Sequence, residues 1–568
     1  MVAAALTGWS FGYTRLKGSD LWWHLAAGRW MTDHRALPAG DPWSFTAAGS
    51  AWLNHEWLSD VVFDLWSRAF GQAALVCWKW AVLAATAVLL LSALRRLTGE
   101  WLGSYLALLL ALVIAAPFLD LRPHLYTLLG LALLLWLAPL TTEGWQPLRN
   151  WRVALLPPLF LLWSNLHGGG ALFGLAALAV LLGPGVLRGG AEGRRRGLLL
   201  WGACAFGTLL TPWGWRGLLY PMRYALRPAN PLLGLSEWLP PFHEGALPAP
   251  AYPWGASLFL ACAVALAAGR DARRHAAFLS GAPLGFLTLA MSLRSCRFIP
   301  LFALCQAPVT AFAISRCSLS SAFAPARRVL SLVLPLAAAG LAAWWLWAYP
   351  LGPRAFRYLT VEESFPAETC DFIEVNSLSG KVFNEYGWGG YLDLRTGGRL
   401  AVFIDGRADT VFDEQTVRRY LHVFEMQPGW QEAIERSDAD FILWPTQAGL
   451  PMLQALVDSG RWRLLHQDFV SVLLERSDRP ERKMRDPADS AWVRLAAAGE
   501  RAGRGDYVSA EASFRAAVER DPDLLSAWLG LARALREQGK IEEARRALRD
   551  ALGRFPAPEA RAALAEMR

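Results

Sequence analysis

Between residues 20 and 60 the sequence places several side chains that could transfer protons. They are acids and histidines within a Trp-rich stretch: Asp20, His24, Asp41, His55, Glu56 and Asp60. A carboxylate within hydrogen-bond reach of an acceptor hydroxyl can act as a general base. Asp20 is the first candidate base, and His24 is a candidate for orienting it because residues at i and i+4 share a helical face.

Asp20 and Asp41 also have structural interpretations. Ser19 and Asp20 precede the helical pattern LWWHLAAGRWM, and Asp is a favourable capping residue at a helix start. Asp41 precedes Pro42, a pair that favours the start of a turn. We therefore keep helix capping as the alternative for Asp20 and treat Asp41 as a secondary candidate.

The segment NHEWLSD (54–60) predicts the start of an amphipathic helix. Asn54 can cap it, and Glu56 and Asp60 share a face at i and i+4. We expect Glu56 to be a second catalytic group, with His55 as a secondary candidate. The alternative is a helix that lies on the lipid surface with its polar side in water.

Cations and histidines recur at the ends of apolar runs. The candidates for binding a phosphate are Arg122, His124, His167, Arg294 and Arg297. Arginine binds phosphate through two parallel hydrogen bonds, so several such boundaries on one side predict a specific phosphate site. The alternative is that each side chain reaches separately to lipid headgroups.

Sequence motifs for a metal or nucleotide site are less clear than those for the phosphate site. The acids and histidines above are suitable ligands, but no pair has the spacing of a zinc motif such as HExxH. A divalent cation is thus only a possible cofactor. FIDGRAD (403–409) could bind a ligand at a strand end, but an internal salt bridge is the favoured interpretation. The glycines of FNEYGWGGY (383–391) do not spell GxGxxG.

The composition is that of a polytopic membrane protein. Of 568 residues, 54% are hydrophobic and 18% charged, whereas soluble domains average roughly 25% charged. The net charge of +8 comes with short basic loops, so nucleic acid is not an expected partner. Apolar runs of spanning length lie near 73–94, 103–119, 125–140, 153–169, 170–187, 197–212, 252–269, 275–293, 297–315 and 329–350. With residues 2–14 as a partial helix, the chain has about 10–11 membrane helices.

Arginines define the expected orientation. They concentrate in alternate loops, at Arg95/Arg96, Arg149/Arg152, Arg188 with Arg194–Arg196, Arg270 with Arg273/Arg274, and Arg316 with Arg327/Arg328. Basic loops face the cytoplasm. The loop 20–72 and everything after about residue 350 are therefore expected outside, as are the candidate site residues.

Beyond the membrane domain (1–350) the pattern changes to a small α/β domain (353–477). Strands are predicted at Val382–Phe383, at Leu400–Ile404, in ADFILW, and on both sides of a turn at Gln467–Asp468. Helices are predicted near 413–425 and 430–437. A charged linker (478–490) follows.

The last segment (491–568) is a repeat. Equivalent residues stand 34 positions apart, at Gly505/Gly539, Ala510/Ala544, Phe514/Leu548 and Ala517/Ala551. This period, with small residues at the helix crossings, is the tetratricopeptide (TPR) signature. Two units are fewer than the three usually needed, so they are expected to lean on the preceding domain or on a partner protein.

Over residues 1–477 the chain resembles the GT-C superfamily of membrane glycosyltransferases. The resemblance rests on an apolar first helix, Asp20 opening an acidic first outer loop, the outer Arg/His set and an outer C-terminal domain. It implies a polyprenyl-phosphate sugar donor and an acidic base in the first loop, which maps onto Asp20. Glu56 or Asp41 could correspond to a second acidic residue of that loop, although the usual adjacent acidic pair is absent.

Three functions remain open at this point. The first is a glycosyltransferase, of hexosyl or pentosyl type, in the bacterial cytoplasmic (inner) membrane, acting at its outer face. The second is a non-catalytic envelope assembly protein whose TPR units recruit partner proteins. The third is a ligase that moves a whole lipid-linked glycan. The lipid bilayer is a partner in every case.

Overall fold

A computed structural model describes most of the chain. The described residues are 1–14, 16, 18–137, 151–188, 190–222, 236–269, 275, 277–318, 324–348, 364–446, 450–481, 484, 491–522, 524–554 and 557–567. Outside them lie four arginines of the expected cytoplasmic loops: Arg149, Arg270, Arg273 and Arg274. The chain divides into two compact units. The first comprises Met1–Thr14, Leu53–Val62 and Ala74–Trp345, and the second Arg15–Trp52, Phe63–Ala73 and Leu346–Arg568.

The first unit is helical. The helices that lie in it wholly or partly are α1 (Val2–Gly12), α3 (Trp57–Phe70), α4 (Leu75–Thr98), α5 (Trp101–Ala115), α6 (His124–Leu137), α7 (Leu156–Leu166), α8 (Gly168–Arg188), α9 (Gly190–Leu209), α10 (Trp215–Leu219), α11 (Tyr252–Ala268), α12 (Ala282–Arg294), α13 (Ile299–Cys305), α14 (Ala307–Ser318) and α15 (Ala324–Ala348). Helix α2 (Asp20–His34) belongs to the second unit. The expected mainly helical membrane domain is confirmed.

Several helices are long and apolar enough to cross a membrane. Four pass by length and composition in the described residues: Leu75–Thr98, Trp101–Phe118, Gly168–Leu187 and Ala324–Trp347. A fifth span is possible if the pair Cys296–Cys305 and Ala307–Cys317, bent by 43°, counts as one. Shorter apolar helices are His124–Leu137, Tyr252–Ala268 and Phe278–Arg294. These helices indicate a multi-pass membrane protein.

The apolar run at 297–315 is therefore not one straight helix. Pro308 follows the bend and has no backbone N–H to donate to the carbonyl four residues earlier, which interrupts the helical ladder.

Small residues let the helices of this unit approach closely. A Cβ on Gly8 would lie 2.5 Å from the carbonyl oxygen of Leu83, and a Cβ on Gly285 would lie 2.6 Å from the ring of Phe259. Lipid provides no hydrophobic drive for helix association, so close van der Waals packing through such residues holds membrane helices together.

The second unit contains a five-stranded sheet of order β2-β1-β3-β5-β4. Its strands are β1 (Gly380–Asn384), β2 (Leu400–Val402), β3 (Phe441–Pro445), β4 (Trp462–Gln467) and β5 (Ser471–Arg476). Strand β1 pairs in parallel with β2 and β3, whereas β5 pairs antiparallel with β3 and β4. The predicted strands are confirmed, including the turn between β4 and β5.

Helices flank these strands in the chain. They are α16 (Ala367–Val375), α17 (Gly389–Thr396), α18 (Glu414–Phe424), α19 (Trp430–Glu435) and α20 (Leu450–Asp458). The expected helices near 413–425 and 430–437 correspond to α18 and α19. The glycine-rich stretch forms the start of α17, and a Cβ on Gly389 would lie 2.4 Å from the carbonyl oxygen of Ile404.

A distant segment of the chain extends the β2 edge of this sheet. Ser44 forms an isolated parallel bridge with Val402. The backbone N–H of Val402 donates to the Trp43 carbonyl at 3.1 Å, and that of Phe45 donates to the Val402 carbonyl at 3.1 Å. The sequence did not predict this pairing, because a short stretch of alternating polarity does not identify a partner strand 358 positions away.

The chain ends in a helical repeat. Its helices are α21 (Ala491–Gly503), α22 (Tyr507–Arg520), α23 (Leu525–Glu537), α24 (Ile541–Arg554) and α25 (Pro558–Glu566). The repeated small residues are fully buried: Ala510, Ala544, Ala517 and Ala551 are 0% exposed. Gly505 and Gly539 adopt matching positive φ angles of 80° and 77°. Phe469, between β4 and β5, packs against the core of the repeat, as expected for so short an array.

Candidate functional site

In the first unit, the segment that opens α3 is tied to the junction between α7 and α8. The backbone N–H of Gly168 donates to the His55 carbonyl at 3.1 Å. The indole N–H of Trp57 donates to Oδ1 of Asn165 at 2.8 Å. These bonds fix residues 55–57 next to His167, the residue that follows the end of α7.

Glu56 and His167 face each other at this junction. Oε1 of Glu56 lies 3.4 Å from Nε2 of His167, and the two side chains are 12% and 14% exposed. On the other side of the ring, Nδ1 of His167 lies 2.6 Å from Oγ1 of Thr127. The same oxygen accepts a hydrogen bond from the indole N–H of Trp163 at 3.1 Å. Two predicted site residues thus meet here, and two unpredicted residues support them.

His55 and Asp60 lie near this pair. The ring centroid of His55 is 6.5 Å from that of His167 and 5.0 Å from that of Tyr220. Asp60 is 0% exposed, and its Oδ2 accepts a hydrogen bond from Nδ2 of Asn54 at 2.7 Å. Burial raises the pKa of Asp60 well above its ordinary value, against the opposing effects of Asn54 and His55. Asp60 therefore anchors the start of α3.

Arg122 and Arg297 meet at one acid. Nη1 of Arg122 lies 2.9 Å from Oε2 of Glu237, and Nη1 of Arg297 lies 2.5 Å from Oε1. Burial acts to raise the pKa of Glu237, but the charges of Arg297 and Arg122 outweigh it and lower the pKa to about 2. Two guanidinium groups thus share one carboxylate. Such a pair of guanidinium groups is compatible with an anionic ligand.

His124 and Arg294 differ from the other candidates for the phosphate. Nε2 of His124 lies 2.6 Å from the carbonyl oxygen of Phe118, so that nitrogen is the donor. Arg294 is the last residue of α12 and is exposed, where its charge suits the negative end of the helix dipole. Neither side chain is among the described ion-pair partners of Glu237. Arg122 and Arg297 are nevertheless close enough to His124 for their charges to disfavour a positive charge on its ring.

Asp20 and His24 lie in the second unit, on α2. Asp20 is the first residue of this helix, a position where negative charge is favourable. Its Oδ1 approaches Gly406 so closely that a Cβ on that glycine would lie 2.7 Å away. His24 is 1% exposed, with its ring 6.0 Å from that of Phe63. In this conformation a ligand can reach Asp20 more readily than His24.

Asp41 is held by a buried arginine, also within the second unit. Nη1 of Arg407 lies 2.6 Å from Oδ1 of Asp41, and Nη2 lies 2.6 Å from Oδ2 of Asp405, with all three side chains 0% exposed. Asp41 also accepts the backbone N–H groups of Trp43 and Ser44. The internal salt bridge favoured for FIDGRAD is confirmed, and the turn at Asp41 is part of the same network.

A further acid lies in the core beside this network. Asp393 is 2% exposed. Burial raises the pKa of Asp393 well above its ordinary value, as do the charges of Asp405 and Asp41, whereas Arg407 acts to lower it. A raised pKa favours the neutral form of the carboxyl group.

The described residues do not assemble a metal centre. No group of three or more His, Cys, Asp or Glu side chains in the described part of the chain could hold a metal ion.

Three residues of the first unit were missed as site residues by the sequence analysis. Thr127 and Trp163 lie inside apolar helices and resemble ordinary core residues there. Glu237 is an isolated acid in a long loop, and its two partners are 115 and 60 positions away. The one available signal was the rarity of ionisable residues in this part of the sequence.

Comparison with known proteins identifies a repeat near the C-terminus and solved structures of similar fold. A tetratricopeptide repeat family model matches residues 502–567. A comparison with curated protein sequences returns no match. Among solved structures, the chain is similar to the archaeal oligosaccharyltransferase AglB from Archaeoglobus fulgidus in complex with an inhibitory peptide and a dolichol-phosphate. The TM-score is 0.54 at 13% identity, over 78% of this chain and 68% of that one.

Two further structures of the Archaeoglobus fulgidus oligosaccharyltransferase are also similar to this chain. The apo form gives a TM-score of 0.53 at 12% identity, covering 78% of this chain and 69% of that one. The form tethered to an acceptor peptide containing the NVT sequon gives 0.50 at 13% identity, covering 84% and 73%. The chain thus has a GT-C-like fold, as the resemblance in its sequence implied, and residues 502–567 form TPR helices, as the 34-residue period predicted.

Proposed function

We propose that this chain is a membrane glycosyltransferase that moves a sugar from a polyprenyl-phosphate donor to an acceptor at the outer face of the bacterial cytoplasmic membrane. The observation that carries the proposal is the GT-C-like fold, shared with an oligosaccharyltransferase that was solved with a dolichol-phosphate. The C-terminal α/β and TPR segments lie outside the cytoplasm in this proposal.

The proposed chemistry is a displacement at the anomeric carbon of the donor sugar. The acceptor oxygen forms the new bond to this carbon, and its proton goes to a carboxylate. The bond from the carbon to the phosphate oxygen breaks, and its electron pair leaves with the phosphate. Fixed cations stabilise charge that develops on a leaving group, and Arg122 and Arg297, held together by Glu237, are the cations proposed for that task.

Two carboxylates are candidates for the proton acceptor. Asp20 opens α2 in the second unit and is the first choice, and Glu56 faces His167 in the first unit. Because each can be replaced by its neutral amide without a change of shape, single variants test the two roles separately.

The first experiment uses the full chain purified in lipid nanodiscs with a panel of labelled polyprenyl-phosphate sugars. We expect the wild type to consume one donor, and the variant that removes the proton acceptor, Asp20→Asn or Glu56→Gln, to lower the rate by about 10²–10⁴-fold, the usual contribution of a general base. Asp33→Asn is the matched control for Asp20, since Asp33 is an exposed acid of the same helix. Full transfer by both catalytic variants would refute these roles, and no turnover of any donor by the wild type would count against the function itself.

A second candidate function is favoured by the TPR match at 502–567. In this alternative the chain is a non-catalytic envelope assembly protein whose TPR helices recruit partner proteins. Triple replacement of Asp20, Arg122 and His124 would then leave the cellular phenotype unchanged, whereas the glycosyltransferase would lose its function.

A further inference from the structure

The hydroxyl group of Thr127 has two hydrogen-bond neighbours, Trp163 and His167. A threonine hydroxyl has one proton to donate and lone pairs to accept with. The indole N–H of Trp163 is a donor only, so its bond to Oγ1 at 3.1 Å occupies one lone pair. The hydroxyl keeps its proton and a second lone pair for the other neighbour, Nδ1 of His167, at 2.6 Å, so it can bond to either tautomer of that ring.

The Glu56 carboxylate on the other side of the ring selects which nitrogen of a neutral His167 carries the ring proton, and Thr127 complements that tautomer. When Thr127 donates to Nδ1, the ring proton lies on Nε2, which faces Oε1 of Glu56 at 3.4 Å. The opposite tautomer would point the lone pair of Nε2 at a carboxylate oxygen, an unfavourable contact. The distance to Glu56 is a few tenths of an ångström longer than an ordinary N–H···O hydrogen bond.

Three glycines leave the space that this arrangement needs. A Cβ on Gly170 would lie 1.7 Å from Oγ1 of Thr127, and only a glycine leaves the Thr127–His167 bond intact. Gly130 and Gly174 face the indole of Trp163, where a Cβ on either would lie 2.6 Å from the ring. Trp163 therefore lies in a fitted slot that directs its N–H at Thr127, and it is 2% exposed.

We propose that Thr127 and Trp163 are positioning residues that keep the Nε2–H of His167 directed at Glu56, and that His167 in turn orients the Glu56 carboxylate towards the acceptor. The inference rests on the proposed function for the role of Glu56. It assigns His167 to this carboxylate rather than to the donor phosphate, which leaves the phosphate to the arginines.

The test is a nuclear magnetic resonance measurement on the full chain in nanodiscs with ¹⁵N-labelled histidine. His167→Gln identifies the signals of this ring, and spectra are taken between pH 6 and 9. We expect the neutral ring to carry its proton on Nε2 and to accept a hydrogen bond at Nδ1. Thr127→Val should move the Nδ1 signal to the position of a nitrogen without a hydrogen bond, whereas Thr127→Ser should keep the wild-type pattern.

Sugar transfer supplies the second readout. We expect kcat of Thr127→Val to fall at least about tenfold, because misdirected imidazole in a Ser–His–Asp site costs up to about 10⁴-fold, and Thr127→Ser to retain most of the rate. A neutral wild-type ring protonated on Nδ1, or an Nδ1 signal that is unchanged in Thr127→Val, would overturn the inference. The wild-type spectrum decides even if Thr127→Val fails to fold.

The two readouts separate the inference from the function on which it rests. The expected spectra without turnover of any donor would refute the glycosyltransferase and keep the arrangement around His167. Turnover together with a ring protonated on Nδ1 would refute the arrangement and keep the enzyme.

Discussion

Arg407 is a fully buried cation of the second unit, with its side chain 0% exposed. It bonds to Asp405 through Nε and Nη2 and to Asp41 through Nη1. Its guanidinium also lies 4.8 Å from the ring centroid of Trp43 and 5.0 Å from that of Trp52. Removal of one partner from such a pair leaves an uncompensated buried charge, which costs far more than the net contribution of the pair.

We therefore predict that Arg407→Ala destabilises the protein by about 3–5 kcal/mol. Arg407→Lys should lie in between, because lysine keeps the charge but cannot form the forked contact to Asp405. The measurement is the melting transition of the full chain in detergent. Arg418→Ala is the control, since Arg418 makes an exposed pair with Glu414 on α18; an equal loss in both variants would contradict the prediction.

Glu237 gives a prediction about pH at the same scale. Its pKa is lowered from 4.5 to about 2 in the folded protein, so the folded state favours the charged form. The stabilisation is then fully present above pH 4.5 and is lost as the pH falls through 2.

We predict that Glu237→Gln lowers the melting temperature at pH 7 and reduces the loss of stability between pH 4.5 and pH 2. Melting curves of both proteins across this range provide the measurement. Glu192→Gln on α9 is a suitable control, because Glu192 is an exposed acid paired with Arg196. Parallel curves for wild type and Glu237→Gln would show that the two arginines do not stabilise this carboxylate.

At the scale of elements, helices α6, α7 and α8 depend on one indole fitted between two glycines. Gly130 lies on α6 and Gly174 on α8, and Trp163 comes from α7 between them. Added methyl groups in a well-packed interior force shifts that cost about 1–3 kcal/mol. The three helices therefore have little freedom to move past one another at this level.

We predict that Gly174→Ala destabilises the protein by about 1–3 kcal/mol. Gly202→Ala on the next helix, α9, is the control, since a Cβ there meets nothing within 4 Å; alanine should be neutral or stabilising at that position, by up to about 1 kcal/mol. Thermal unfolding of both variants in detergent provides the test. A Gly174→Ala protein as stable as Gly202→Ala would show that the slot for Trp163 is not tight.

Local patterns explain which elements the sequence could predict. Strands β3 and β5 have dense apolar runs, and the 34-residue period identified the TPR helices without any knowledge of contacts. The contact between Glu56 and His167 spans 111 positions, and that between Asp41 and Arg407 spans 366. Such pairs follow from how helices and strands pack, and no local periodicity encodes them.

The same limit explains the supporting residues of the candidate site. Thr127 and Trp163 match the apolar period of their helices, so their hydrogen bonds are invisible in a single sequence. His167 could be recognised as a candidate because an ionisable residue beside apolar runs is costly and unusual. The sequence did not indicate that Glu56 is the partner of His167, so it predicted that His167 binds phosphate.

At the scale of the whole molecule, the TPR segment shares a core contact with the α/β domain. Phe469 packs against the repeat core, so removal of the repeat exposes an aromatic side chain. If the TPR helices are deleted and Phe469 is left in place, a loss of function could result either from lost recruitment of partner proteins or from lower solubility.

We predict that deletion of 485–568 together with Phe469→Ser leaves donor turnover in nanodiscs nearly unchanged and alters only the choice of acceptor. In the assembly-protein alternative the same deletion abolishes function in cells. Donor turnover and cellular complementation are measured on the same variant, and Phe469→Ser in the full chain is its control. Loss of donor turnover on deletion alone would show that the TPR helices are part of the enzyme's active form.

The pairing of residues 43–45 with β2 has a consequence for biosynthesis. Asp41 is made 366 residues before Arg407, and ribosomes add about 5–20 residues per second. For roughly 20–70 seconds, then, the segment that carries Asp41, Trp43 and Ser44 exists without the partner strand and without the arginine that neutralises its acid. The second unit is completed only after the helices of the first unit have been synthesised.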